Sequence, residues 1–341
     1  ALVLPAVLLL VRASTLLWGI AAGDIPPLNR LLLICLVTTF PCSFLSGALF
    51  SLCWFFSDRS GTSPVRIYSG EALGATAGGI CFYLLVMSHV PSLAILLVMS
   101  LLLLSAVIWT FPRGTTMLPL RRIRLSAYIF AVTVTAILLF HQPIDHASRH
   151  WQWGRDFLAA KDTPYQNLVV VQRNRQLSIF ANGLWRFSAP DRQSVEWAVH
   201  PALLQHPDPQ SVLVLGGVPE GLPEEILRHP SVQSVTAVEL DPALVDLAAA
   251  YLIEGDAVPA DETKIHLQYE DAAVFLRASR ERYDVILANM GDPVNAQLNR
   301  FYTTSFFQAV KGCLTPGGVF SFDVSGGEDM LGEVQIAFLG T

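Results

Sequence analysis

The chain has 341 residues, of which 52% are hydrophobic and 15% are charged, and its mean hydropathy is +0.46. Because soluble proteins average about 25% charged residues, this composition argues against an ordinary soluble enzyme. At roughly 100 to 200 residues per domain, the length predicts two or three domains.

Charge is distributed unevenly on the two sides of residue 150. Residues 1–150 contain nine Arg, no Lys and four acidic residues, a net charge of +5, whereas the remainder carries −11. The apolar first part is typical of a membrane domain and the acidic second part of a soluble one. Nucleic acid is not expected as a partner, since phosphate binding requires clustered Lys and Arg. The five cysteines show no CxxC spacing, and no metal site is predicted.

Long uncharged runs in the first part predict about five membrane spans, because a helix needs about 20 apolar residues to cross a bilayer. The predicted spans are 1–20, which Arg12 interrupts, 31–57, 66–87, 92–111 and 125–140. We therefore assign residues 1–142 to a multi-span α-helical domain in contact with lipid. Since the chain begins inside an apolar run and stops soon after a strand-like segment, we expect it to be truncated at both ends.

The arginines near the predicted loops indicate how this domain is oriented. With five spans, the loops near 57–66 and 112–124 share one side of the membrane and carry six Arg, and the soluble part lies on the other side. Cytoplasmic loops are enriched in Lys and Arg, so the count places the soluble part away from the cytoplasm, and a miscount by one span reverses it. Glu71, one turn inside the third span, is either part of a transport pathway or an interfacial carboxylate.

The second part of the chain changes to short strand-like and helix-like runs. Residues 143–164 are interpreted as a linker, and 165–205 as a small antiparallel β-region with a turn at Asn182-Gly183. From residue 206 to 341, apolar strands alternate with helices, which predicts a parallel sheet covered on both faces. The predicted strands are 168–172, 177–180, 211–215, 235–239, 265–268, 285–288 and 319–323, and the predicted helices are 223–229, 242–251, 272–279 and 304–313.

In such a sheet, a ligand binds beyond the carboxyl ends of the strands. Gly216 and Gly217 follow the first strand of this α/β region and allow the backbone to approach a nucleoside. Glu239 ends the second strand, where an acidic side chain accepts hydrogen bonds from ribose hydroxyls. Asp271 follows the third strand, in position to meet an adenine edge. Asn289 and Asp292 follow the fourth strand.

Several motifs of the second part resemble spermidine synthase. They are Tyr165-Gln166, Asn182-Gly183, SVLVLGG from Ser211, HPSVQSVTAVELDPALVDLA from His229, Glu270-Asp271-Ala272, YDVILANMGDP from Tyr283 and FYTTSFF from Phe301. RIYSGEALGATAGG from Arg66 resembles the membrane part of bacterial proteins that fuse several spans to such a domain. The resemblance implies a small N-terminal β-structure followed by a seven-stranded, Rossmann-like sheet of the methyltransferase type.

The resemblance also implies a reaction and a set of roles. In this family a diamine displaces the aminopropyl carbon of decarboxylated S-adenosylmethionine, a co-substrate rather than a tightly bound cofactor. The nucleoside-binding set becomes Gly216, Gly217, Glu239 for the ribose, Asp271 for the adenine, and Gln166, and the catalytic set becomes Asp292, for the amine or base role, with Asn289. A homodimer is also expected, since the family is commonly dimeric.

Three departures from the family pattern bear on catalysis. The family loop GGGDGG is here Gly216 to Gly221, GGVPEG, in which Pro219 replaces an acid and Glu220 is displaced by one position. Asn289 stands where the family has a carboxylate, and an amide does not act as a base. The expected Tyr-His pair is Val195-Glu196. Two alternatives therefore stay open: a methyltransferase that uses S-adenosylmethionine, and a transporter or membrane scaffold with a catalytically degenerate nucleoside-binding domain.

Overall fold

The computed structural model describes residues 3–20, 26–59, 64–88, 90–110, 118–174, 176–251, 262–293 and 295–324. The chain divides into two compact units. The first comprises Ala1–Val171 with Phe180–Leu184, and the second comprises Gln172–Ile179 with Trp185–Thr341.

Six helices account for most of the first unit. They are α1 (Val3–Trp18), α2 (Leu28–Arg59), α3 (Pro64–Met87), α4 (Ser92–Thr110), α5 (Leu118–Leu139) and α6 (His141–Trp153). Within the described residues, α2 to α5 each contain a stretch long and apolar enough to cross a membrane, whereas α1 is shorter. Many large apolar side chains on these helices are exposed, among them Leu73 at 71% and Val132 at 69%. Five spans were expected, and four of these helices meet the length and hydropathy of a span.

Residues 143–164, interpreted as a linker, contain regular structure instead. Most of α6 and the strand β1 (Phe157–Asp162) lie in this range. Trp153 and Phe157 form a small core with Val169 and Phe180. The polar sequence of α6 suggested a linker. In the structure its charged side chains form ion pairs, and a sequence pattern does not reveal such pairs.

Two arginines and two aspartates of the first unit form a row of ion pairs, which we call the charge chain. Arg12 Nη1 lies 2.9 Å from Asp145 Oδ1, and Arg149 Nε lies 2.7 Å from Asp145 Oδ2. Arg149 Nη2 is also 3.3 Å from Asp162 Oδ2. Although burial opposes ionisation of Asp162, Arg149 and the hydrogen bonds from Ser92 outweigh it and hold the Asp162 pKa below its ordinary value. The four charges cancel, which makes their joint burial tolerable.

The predicted β-region is a four-stranded sheet with the order β1-β2-β3-β4. The other three strands are β2 (Asn167–Arg173), β3 (Gln176–Ala181) and β4 (Leu184–Ala189). Asn182 and Gly183 both have positive φ, 52° and 83°, and form the predicted turn between β3 and β4. Of the four strands, β2 and β3 were predicted, β4 lies within the predicted region without having been predicted as a strand, and β1 precedes the region.

The second unit contains a parallel five-stranded sheet with the order β7-β6-β5-β8-β9. Its elements are α7 (Arg192–Leu203), β5 (Ser211–Leu215), α8 (Leu222–Ile226), β6 (Ser234–Glu239), α9 (Pro242–Tyr251), β7 (Ile265–Tyr269), α10 (Ala272–Ala278), β8 (Tyr283–Ala288), α11 (Ala296–Asn299), α12 (Thr304–Cys313) and β9 (Leu314–Phe322). The Rossmann-like α/β fold predicted from the motifs is confirmed, with five of the implied seven strands in the described residues.

The apolar runs of the central strands form two cores, one on each face of the sheet. Leu213, Leu215 and Ile286 pack with α10 and α12, whereas Val212 and Val214 pack with α7 and α8. Alternate residues of β5 thus enter opposite cores, as a strand buried on both faces requires. This arrangement fixes the ends of β5, β6 and β8 at one edge, where the predicted site residues lie.

Candidate functional site

The loop after β5 passes so close to the segment after β8 that only glycine fits in it. Gly216 and Gly217 have φ of 75° and 78°. A Cβ atom on Gly216 would lie 2.5 Å from the carbonyl oxygen of Asn289, and one on Gly217 would lie 2.7 Å from Leu222 Cδ2. Both positions are also left-handed, so any side chain would add backbone strain to the collision. The two glycines therefore form the expected cradle beside Asn289.

The segment after β8 is tied to this cradle through its backbone. Asn289 N–H donates to the carbonyl oxygen of Leu215 at 2.9 Å. The hydroxyl of Tyr302 donates to the carbonyl oxygen of Gly291 at 2.8 Å. These bonds hold the segment 289–292, and with it Asn289 and Asp292, at the carboxyl end of the sheet. Of the two predicted catalytic residues, Asn289 thus contacts the predicted nucleoside cradle directly.

Glu239 at the end of β6 is a buried carboxylate with unused hydrogen-bonding capacity. Its side chain is 7% exposed. Oε1 accepts from the Leu240 N–H at 3.0 Å, whereas Oε2 is buried and has no hydrogen-bond partner among the described residues. Burial is the main cause that raises its pKa to about 7, and Arg186 opposes this shift. A buried acceptor of this kind is suited to a ligand hydroxyl.

Arg186, on β4, is a site residue that the sequence analysis did not identify. Its Nη2 donates to the carbonyl oxygen of Asn289 at 2.7 Å and lies 4.0 Å from Glu220 Oε1. The pKa of Glu220 is raised above its ordinary value, because the effect of burial outweighs the opposing effect of the Arg186 charge. No motif signalled Arg186, because its strand is distant in sequence and reaches the site through the tertiary fold. Glu220, displaced by one position in the altered loop, lies at the site, where it is close to the guanidinium of Arg186.

Asp271, predicted to meet an adenine edge, already has local partners. Its Oδ1 accepts from the N–H groups of Ala273 and Val274 at 3.0 and 3.1 Å and caps α10. Its Oδ2 lies 2.5 Å from Nη2 of Arg300, whose side chain is 41% exposed. Asp271 follows β7 as predicted, and its outer oxygen meets a ligand only if the exposed Arg300 moves.

Asp292 lies in an acidic neighbourhood. Burial is the first cause that raises the pKa of Tyr302 to about 12, followed by the negative charges of Asp292 and Asp323. A hydroxyl with such a pKa stays protonated and acts as a hydrogen-bond donor. The positive charge of Arg186 partly offsets the negative charges of Asp292 and Asp323 at this hydroxyl.

Gln166 lies in the first unit. Its N–H donates to Thr163 Oγ1 at 3.0 Å in the turn between β1 and β2. It lines a cavity of about 380 Å³ together with Tyr165, Asn167 and apolar side chains such as Phe82 and Ile95. The structure thus groups Gly216, Gly217, Glu239 and Asn289 at one edge of the parallel sheet of the second unit.

Comparison with known proteins gives one consistent family. Residues 194–331 match the spermine/spermidine synthase domain. Polyamine aminopropyltransferases from Leptospira interrogans and Oceanobacillus iheyensis are 32% and 29% identical to this chain over 72% and 75% of its length. The alignments cover 50% and 51% of those two proteins, so the chain spans about half the length of the curated relatives it matches.

One solved structure, a spermidine synthase in complex with the transition state analogue AdoDATO, aligns with a TM-score of 0.45 and 24% identity. The alignment covers 49% of this chain and 57% of the other. The matched segment 194–331 contains the cradle, Glu239, Asp271 and Asp292, and it begins just after Arg186. This segment of the chain is thus similar to the spermine/spermidine synthase domain, and the resemblance seen in its motifs is confirmed.

Proposed function

We propose that this protein is a membrane-anchored transferase that binds decarboxylated S-adenosylmethionine and moves its aminopropyl group to an amine. The curated relatives are polyamine aminopropyltransferases, which supports this class of reaction. A donor of this kind is a co-substrate and requires no tightly bound cofactor. The expected ligands are therefore a nucleoside sulfonium and a polyamine.

The observation that carries the proposal is the buried, unpartnered Oε2 of Glu239 beside the glycine cradle. A carboxylate held out of water gains most from ligand hydroxyls that complete its hydrogen bonds. The two hydroxyls of a ribose offer such donors. Gly216 and Gly217 leave room for the sugar and the backbone to come close together.

Transfer requires an amine that attacks carbon next to the sulfonium. A C–N bond forms as the C–S bond breaks, the electron pair goes to sulfur, and methylthioadenosine leaves as a neutral thioether. The attacking nitrogen must lose a proton, and Asp292 is the acceptor that we assign to it. Tyr302, held protonated, is a donor that helps to orient the Asp292 segment through its bond to Gly291.

The positive charge of Arg186 lies beside the glycine cradle and affects how a cationic donor binds there. Arg186 binds the carbonyl oxygen of Asn289, and Asn289 itself adds no negative charge. Glu220 and Glu239 offset the guanidinium, and the raised pKa of each shows how strongly burial opposes a further negative charge there. Asp292 is therefore the main carboxylate for the cationic amine, and transfer is expected to depend on it.

We further propose that α2 to α5 anchor the protein in a cell membrane as a multi-pass domain, with a homodimer as the expected assembly. The four helices are long and apolar enough, and they expose large apolar side chains over their surfaces. Lipid would remove this apolar area from water. Glu71 on α3 is exposed as well, and nothing in its surroundings favours the transporter alternative over an interfacial position.

The proposed activity is tested with the full chain in detergent or lipid discs. Calorimetry with methylthioadenosine is expected to show one site per chain. Incubation with putrescine and decarboxylated S-adenosylmethionine should yield an aminopropylated product by mass spectrometry, and an Asp292→Asn variant should bind but not transfer. A methylated product with S-adenosylmethionine would replace the proposal with the methyltransferase alternative, and absence of nucleoside binding would overturn both.

The side of the membrane on which the domain lies is tested independently. Because one predicted span separates the 112–124 loop from the domain, the two are expected on opposite sides of the membrane, and the Arg residues of the loops near 57–66 and 112–124 predict that those loops are cytoplasmic. A reporter fused after Asp323, with a second one placed in the 112–124 loop, should be active on opposite sides. Activity of both on the same side would show that the span count is wrong. A domain on the side that lacks the donor would contradict aminopropyl transfer in the cell.

A further inference from the structure

A cluster of ligand-type side chains lies between α7 and α8, outside the proposed nucleoside site. Glu196 and His200 are four residues apart on α7, so they share one face of the helix. Glu225 on α8 faces them, and the ligand atoms of the three residues all lie within 4.8 Å of one another. His200 Nε2 is 3.1 Å from Glu225 Oε1.

We propose that Glu196, His200 and Glu225 bind a divalent transition-metal ion of the zinc type. One imidazole nitrogen and two carboxylate oxygens form a ligand set that zinc accepts, with the fourth position open to water. At Zn–N and Zn–O distances near 2.1 Å, tetrahedral ligand atoms lie about 3.4 Å apart. His200 and Glu225 are already at such a separation. Glu196, whose side chain is 40% exposed and pairs with Arg192, would have to leave this exposed pair to rotate inward.

His229 provides the outer contact that metal-binding histidines generally have. The His200 Nδ1 atom is 2.9 Å from His229 Nε2. With a metal on Nε2, His200 carries its proton on Nδ1 and donates it to His229, which fixes the tautomer and the ring orientation. Both nitrogens of His200 therefore have a suitable partner, one toward the proposed ion and one away from it.

Two arginines near the cluster compete with the ion for the carboxylates of Glu225 and Glu196. Arg228 Nη1 donates to both oxygens of Glu225 at 3.1 and 3.2 Å, and Arg192 pairs with Glu196 at 2.8 Å. Glu225 is 6% exposed, whereas Arg228 and Arg192 are 36% and 65% exposed. The ion replaces two solvent-accessible guanidinium groups with a single charge of +2. The exposed pair of Arg192 and Glu196 contributes little, whereas the buried Glu225 must exchange its two bonds to Arg228 for the bond to the ion.

The test uses the full chain, stripped with a chelator, and Zn²⁺ or Co²⁺ as probes. We expect one Zn²⁺ per chain by calorimetry, and a Co²⁺ absorption spectrum typical of a site with four or five ligands. Glu196→Gln and His200→Gln should each weaken Zn²⁺ binding by more than about 100-fold, and His229→Gln by roughly 10-fold. Glu196 is on the surface of its helix, so its variant folds without the buried change that Glu225 would involve.

His266→Gln is the matched control, because His266 is an exposed histidine of the same unit outside the cluster. It should bind Zn²⁺ like the unchanged protein. Equal affinities for the control and for Glu196→Gln and His200→Gln would overturn the proposal, as would the absence of Zn²⁺ binding by the unchanged chain. Nucleoside binding is measured on the same samples and does not depend on the outcome, so the two proposals fail separately.

Discussion

Replacing Glu239 with Gln is expected to weaken methylthioadenosine binding by about 100-fold at pH 8. Hydrogen bonds to a charged group are worth roughly 1.5 to 3 kcal/mol, and the substitution removes the charge that the ribose hydroxyls would meet. The side chain keeps its size, so the change isolates the acceptor. Calorimetry on the full chain measures the effect, with Asp246→Asn, an exposed acid on the helix after β6, as the control.

The same substitution is expected to stabilise the ligand-free protein, which separates lost binding from lost folding. Burial raises the pKa of Glu239 to about 7 from an ordinary value of 4.5. As the pH rises from about 4.5 to 7, the unfolded chain releases a proton that the folded chain retains, so the carboxyl costs stability, up to about 3 kcal/mol above pH 7. Gln removes this cost.

Unfolding midpoints at pH 4.5 and pH 8 measure the effect of Glu239→Gln on stability. The midpoints of the two proteins should coincide at the lower pH, and that of Glu239→Gln should be higher at pH 8. A variant that keeps full nucleoside affinity would remove Glu239 from the site. One that loses stability at pH 8 would show that burial of the carboxylate is not its main energetic feature.

Replacing Arg149 with Leu is expected to destabilise the first unit by roughly 3 to 5 kcal/mol. Arg149 is the central cation of the charge chain and pairs with both Asp145 and Asp162. Its removal leaves two partly buried carboxylates with one remaining cation, Arg12, and removing one partner of a buried pair costs about this much. Thermal or denaturant unfolding of the full chain in detergent, followed by near-ultraviolet circular dichroism, measures the loss.

Arg155→Leu is the matched control, because Arg155 is exposed just after α6 and should be close to neutral. A second substitution, Asp162→Asn, made in the Arg149→Leu background, should recover part of the stability, since it removes one of the uncompensated charges. If Arg149→Leu is as stable as Arg155→Leu, the charge chain does not hold α6 in place, and the fold of that region rests on its apolar contacts.

Much of the second unit was predictable from its sequence. The runs VLVL and VILA are continuously apolar, and they lie within β5 and β8. Thr304–Cys313 was predicted with its observed bounds. These elements follow from local patterns, because a strand buried on both faces has to be apolar throughout and a helix beside it has to be amphipathic.

The errors arose where polar residues pair within the fold. Residues 143–164 were taken for a linker because charged and aromatic residues alternate there without a long apolar run. Asp145, Arg149 and Asp162 of this segment pair with one another and with Arg12, which is distant in sequence. The predicted helix 223–229 is shorter in the structure, Leu222–Ile226, and α7 was not predicted at all.

For the candidate site, the sequence determined which side chains follow the strands, and hence that Gly216, Gly217, Glu239 and Asn289 lie at the carboxyl edge. It also determined the family through its motifs. Only the tertiary structure showed that Arg186 enters this edge, and that Glu239 keeps one oxygen without a partner. The physical reason is that the apolar pattern of a strand and its place along the chain are local properties of the sequence. The state of a buried charge depends instead on partners that long-range folding brings together.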